Sequence, residues 1–126
     1  MSFEIHKNEI NRFFEYRHTG LIQRDDVGDA WREMLNEKDF TVNGFDILTD
    51  YSGGEFAFSL EQTEVIDEFL YSIRHILKGK RQAVVADNPF STALSMLYAS
   101  KLYDEIGFSI EVFSTREAAV RWLINS

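Results

Sequence analysis

The stretch RQAVVADNPFSTALSMLYASKLYDEIGFSIEVF, Arg81–Phe113, decides the reading of the fold. Ala83 to Ala86 are four consecutive apolar residues, the signature of a short strand buried on both faces of a parallel sheet. Asp87 or Asn88 then supplies an N-cap and Pro89 the first helical position, where its fixed φ and missing N–H cost nothing. Leu94, Leu97, Tyr98 and Leu102 form an apolar stripe at helical spacing. Gly107 ends the helix, and FSIEVF (Phe108–Phe113) alternates as a second strand. Strand, helix and strand in this order imply parallel pairing through a right-handed crossover.

The same pattern extends in both directions. C-terminally, STREAAVRWLINS reads as a helix with a capping box at Ser114 and Glu117 and with Ala118, Ala119, Trp122 and Leu123 facing inward. N-terminally, Ser59 and Gln62 have capping-box spacing and open a helix. Its stripe is Val65, Phe69, Ile73 and Ile76, with Ile66, Leu70 and Leu77 beside it, and Gly79 stops it. FTVNGFDILTD contains a strand over residues 44–49. RDDVGDAWREMLNEKDF reads as a helix whose Val27, Ala30, Trp31, Met34 and Leu35 lie on one stripe. The aromatic run RFFEYRHTG (Arg12–Gly20) reads as a strand, and MSFEIHK as a weaker one that makes a hairpin over NEIN. The expected architecture is α/β: a mixed, mostly parallel sheet of four to five strands, an N-terminal hairpin and about four helices.

The chain of 126 residues is sized for one domain, residues 1–126, with one hydrophobic core; 44% apolar and 27% charged residues are ordinary for a globular protein. A net charge of −8 and scattered basic residues argue against nucleic acid, because phosphate binding needs clustered Lys and Arg. The tightest basic group, Lys78, Lys80 and Arg81, sits at a helix end that welcomes cations. No cysteine is present, so disulfides and thiolate chemistry are excluded. The polar first residues lack a signal-peptide pattern, and no apolar run reaches membrane-spanning length, so a cytoplasmic location is expected.

LTDYSGGEF (Leu48–Phe56), KRQAVVAD (Lys80–Asp87) and FSIEVFSTREAAVRWL (Phe108–Leu123) together resemble SpoIIAA-like proteins of the STAS-like fold. These are related in fold to bacterial anti-sigma-factor antagonists. The terminal stretch Val112–Leu123 carries the most specific part of the likeness. The resemblance covers essentially the whole chain and implies a non-enzymatic regulatory or binding domain. Antagonists carry an Asp-x-Ser near the end of the middle strand, matched by Asp50 and Ser52. They then carry a phosphorylatable serine in an Asp-Ser-Ser-Gly-like turn. GEFAFSLE stands there instead, with Ser59 displaced and no glycine after it, so the resemblance does not bring a phosphorylation cycle with it.

Two candidate sites follow. The first is a rim at the carboxyl ends of the strands, made of Asp50, Ser52, Gly53, Gly54, Asp87, Asn88 and Ser91. Open α/β sheets bind ligands along such rims, and the helix N-termini there favour anions. The alternative reads Asp87 as a helix cap, Asp50 as a turn former and the glycines as turn residues. The second candidate is Phe56 and Phe58, either as a lid or dimer contact or as packing anchors for the following helix.

Catalytic patterns are incomplete. No G-x-S-x-G elbow or P-loop occurs, and Ser91, Thr92 and Ser95 at a helix start suit capping as well as chemistry. Asp25 and Asp26 form an acidic pair but fall in a helix start, and only Arg116 follows the last strand, so a receiver-like phosphotransfer site is not completed. His6, His18 and His75 have no metal-binding spacing. The expectation is a binding or regulatory domain that is not an enzyme, with no cofactor or metal. It would act through a protein partner or a small apolar or anionic ligand. The alternatives are a homodimeric interaction module, and last an enzyme using the Asp50/Asp87 rim.

Overall fold

The computed structural model describes residues 3–125; Met1, Ser2 and Ser126 fall outside them, including the first two positions of the expected N-terminal strand. In chain order the elements are β1 (Phe3–Asn8), β2 (Phe13–His18), β3 (Gly20–Ile22), α1 (Arg24–Leu35), α2 (Lys38–Thr41), β4 (Asp46–Asp50) and β5 (Gly54–Phe56). A single 3-10 turn, Leu60–Gln62, leads into α3 (Thr63–Ser72) and α4 (Arg74–Leu77). Then follow β6 (Arg81–Val85), α5 (Pro89–Ile106), β7 (Ser109–Phe113) and α6 (Arg116–Ile124).

The main sheet has the order β1-β2-β4-β6-β7. β1 and β2 form the antiparallel hairpin, and every other pairing in this sheet is parallel. β6 is an interior strand between β4 and β7, and Ala83, Val84 and Val85 are buried. The apolar run at Ala83 therefore marks a strand covered on both faces. One face packs on α1, α3 and α5 through Phe14, Tyr16, Ile47, Val84 and Ile110. The other face packs on α6 through Phe13, Leu48, Ala83, Val85, Ala119 and Leu123.

Local signals set several boundaries. Asn88 caps α5 by accepting from Ser91 N at 2.9 Å, and Pro89 begins the helix. Ser59 and Gln62 form the expected capping box, here on the 3-10 turn. α6 starts one residue later than its spacing predicts: Thr115 is the N-cap and accepts from Ala118 N.

Two inward faces differ from the apolar stripes. In α3 the buried residues are Ile66 and Leu70, followed by Leu77 in α4, while Val65 is exposed. The chain breaks at Ile73 between the two helices, so one continuous stripe cannot face the sheet. In α5 Leu94 and Leu102 are buried but Leu97 is exposed. β3 and β5 form a separate two-stranded parallel ribbon over the rim, with Ile22 opposite Phe56.

Candidate functional site

The rim residues do come together. Asp50 ends β4 on the α6 side of the sheet, and its Oδ1 accepts from Ser52 N at 2.9 Å and from Ser52 Oγ at 2.5 Å. Its Oδ2 lies 3.9 Å from Arg17 Nε. Across the rim, Gly53 N donates to Asp87 Oδ2 at 3.1 Å and Asn88 Nδ2 donates to Gly54 O at 3.3 Å. Ser91 is buried in the first turn of α5. These bonds clamp the turn after β4 to the turn after β6. The two aspartates are each engaged by separate donors.

Gly54 has a specific steric role. A Cβ there would meet Ile22 Cδ1 at 2.7 Å and the carbonyl oxygens of His18 and Gly20 at 3.3 Å. Its backbone is pressed against β3. Gly53 has φ +79°, the left-handed conformation that closes the turn.

This clamp delivers the aromatic segment to its place. Ala57 N donates to Ile22 O at 2.8 Å. Phe56 stacks on Phe58 with centroids 4.8 Å apart and meets Tyr51 edge-on at 4.8 Å. Beneath the pair, between the sheet and α1, α3 and α5, lies a cavity of about 50 Å³. Trp31, Ile66, Val84 and Leu94 supply apolar walls, and Tyr51, Gln82, Ser95 and Tyr98 also line it. The volume exceeds what one water needs and is well below the roughly 300 Å³ where drug-sized pockets begin.

Gln82 is the unusual member. It is buried, faces the helices from β6, and donates through Nε2 to Thr49 Oγ1 at 2.8 Å. Its Oε1 is buried without a hydrogen-bond partner. Turning the amide over would pair Oε1 with the Thr49 hydroxyl and strand Nε2, so either orientation leaves one polar atom free. Buried amide atoms are nearly always paired. Burial also pushes the Tyr51 and Tyr98 phenols well above their ordinary range, keeping both neutral donors.

The cavity site is absent from the motif-level reading except for Phe56, Phe58 and Ser95. Its signal was a glutamine next to the apolar run of β6, two positions before Val84 and therefore on the same face. His18 is a second buried polar group nearby. Its ring lies 5.2 Å from that of Tyr51, its Nδ1 has no partner, and burial lowers its pKa from 6.5 to about 4.

On the opposite face Glu15 accepts from Arg116 Nε at 2.8 Å and Nη2 at 2.6 Å. The guanidinium holds the Glu15 carboxyl below its usual range despite burial. This fork ties the first turn of α6 to β2.

Among the described residues no group of three or more His, Asp and Glu side chains could hold a metal ion. No helix among them is long and apolar enough to cross a membrane. No family model and no curated protein sequence matches the chain. Among solved structures, the fold is similar to that of an uncharacterized protein of the DUF3478 family from Shewanella loihica PV-4, described as having a SpoIIAA-like fold. The two are 11% identical with a TM-score of 0.63, and the match covers 96% of this chain and 91% of that chain. At that identity the likeness speaks to architecture alone: the chain has a SpoIIAA-like fold.

Proposed function

We propose that this protein is a non-enzymatic regulatory domain that binds a small, mostly apolar ligand beneath the Phe56–Phe58 pair. The observation that carries this reading is an apolar cavity lined by Gln82, a buried amide with one polar atom unpaired. Such an arrangement is what a ligand site needs: apolar walls for affinity and a few polar groups for orientation. A hydroxyl, carbonyl or amide on the ligand would complete the Gln82 hydrogen bonds, with Ser95 and Tyr98 alongside. A cavity of about 50 Å³ suits a ligand of only a few heavy atoms. A larger one requires Phe56 and Phe58 to swing away, and the rim of Gly53, Gly54, Asp87 and Asn88 forms the fixed end of that movement. Binding without chemistry agrees with Asp50 and Asp87 each being taken up by local donors.

The test is a titration with n-hexanol and indole, followed through the side-chain amide resonances of Gln82. Saturable shifts confined to Gln82 and the cavity methyl groups are expected, abolished by Phe58→Trp, which fills the space. Amide signals that stay fixed with both probes at millimolar concentration would count against the site.

A further inference from the structure

The outward face of α5 is a large apolar feature that the ligand site does not use. Phe90 is 49% exposed, Met96 59%, Leu97 60% and Tyr103 61%. Ala93, Met96, Ser100 and Tyr103 follow each other at three- and four-residue steps along one line, and Phe90, Leu97 and Asp104 run beside it. Two small residues, Ala93 and Ser100, therefore occupy the middle of the face, with large side chains on both flanks.

We infer that this face is a homodimer contact, in which α5 packs antiparallel on α5 of a second copy about a two-fold axis between Met96 and Leu97. The residue order is self-complementary about that point. Ala93 of one helix falls against Ser100 of the other in the middle, Leu97 meets Leu97 on one flank and Met96 meets Met96 on the other, and farther out Phe90 lies beside Asp104 and Tyr103 beside Pro89 of the second copy. Aliphatic meets aliphatic on both flanks and small meets small in the middle, which lets two helices approach to 8–10 Å. A two-fold contact requires this reciprocity, since the same surface serves both chains.

Charge placement supports the antiparallel sense. The last turn of α5 contains no base, and its end carries Asp104 and Glu105, unfavourable beside its own negative dipole end. The first turn contains no acid. Antiparallel packing brings the positive end of one helix beside Asp104 of the other. The four large side chains leave on the order of 450 Å² uncovered per chain, and with their rim a pair buries roughly 1,000 Å² in total, the low end for a specific interface. The net charge of −8 on each copy opposes association, and at physiological salt it is screened within about 8 Å.

Sedimentation equilibrium in physiological salt across micromolar to submillimolar concentrations reads the first consequence. A monomer–dimer equilibrium is expected, and Ala93→Glu should weaken it at least tenfold while leaving the melting temperature of the dilute protein nearly unchanged. Because the chain has no cysteine, single thiols can report the geometry. An equimolar mixture of Ala93→Cys and Ser100→Cys chains should cross-link under mild oxidation. Either variant alone should not, since like positions lie about 10 Å apart along the axis, beyond disulfide reach. A protein that stays monomeric throughout, a dimer indifferent to Ala93→Glu, or cross-linking as strong in the single variants as in the mixture would each overturn the assignment.

Discussion

Replacing Gln82 and Thr49 together should make the protein more stable. The two are joined by one buried hydrogen bond, and the far end of the Gln82 amide has no partner. A buried unsatisfied polar atom costs about 1–3 kcal/mol, whereas the amide–hydroxyl bond returns about 1 kcal/mol. Gln82→Met with Thr49→Val removes both terms with little change of volume, so a net gain centred on about 1 kcal/mol and reaching about 2 kcal/mol is expected. Thr49→Val alone leaves the whole amide unpaired and should cost about 1–3 kcal/mol. The difference between the double variant and the summed singles is the coupling, and it should be large because the side chains touch. Urea melts measure it directly. In a thermal scan the gain corresponds to roughly 3–8 °C for a chain of this size. The double variant should also lose the hexanol and indole response while gaining stability, the trade expected where a core polar group is kept for binding. A double variant less stable than the parent by more than about 1 kcal/mol would refute the reasoning, because the free amide end would then be well satisfied in the native protein.

Stability should also depend on pH through His18. Its folded pKa of about 4 lies below the ordinary 6.5, so the unfolded chain takes up the proton first. Stability is unaffected above pH 6.5 and falls as pH drops from 6.5 towards 4, by roughly 3 kcal/mol in all. His18→Phe should flatten that window in urea melts, and an unchanged slope would show that other groups set it. Arg116→Ala should raise the Glu15 pKa, read by NMR titration. It should cost about 1–2 kcal/mol near neutral pH, discounted because the arginine side chain is half exposed. That loss should shrink as pH falls through the lowered Glu15 pKa, where the carboxyl protonates. Gly54→Ala should cost about 1–3 kcal/mol by overpacking against buried Ile22, measurable by calorimetry, with loosening of the Phe56–Phe58 segment detectable by hydrogen exchange.

Features settled by a few adjacent residues were legible without coordinates. Pro89 after Asn88 sets the start of α5, because one side-chain oxygen and one fixed φ decide it locally. Ser59 and Gln62 close their capping box within a single turn. The buried run at Ala83 could only belong to a strand covered on both faces, and with helices on either side of it in sequence that led to a parallel sheet. The gathering of Asp50, Ser52, Gly53, Gly54, Asp87, Asn88 and Ser91 at one rim followed from the same topology.

What tertiary structure alone decided is which of two competing apolar surfaces turned inward. α3 offers Val65 with Phe69 or Ile66 with Leu70, and α5 is apolar nearly all round; periodicity cannot choose between such faces. Packing chose Ile66, Leu70, Leu94 and Leu102, and left Val65 and Leu97 in solvent. The β3–β5 ribbon likewise joins segments more than thirty residues apart, too short to declare themselves as strands. The unpaired end of Gln82 is the deepest example. Its residue type and its face could be read from position 82, but a missing partner depends on every element around the cavity. Burial and hydrogen bonding are sums over neighbours distant in sequence, and only the folded chain performs them.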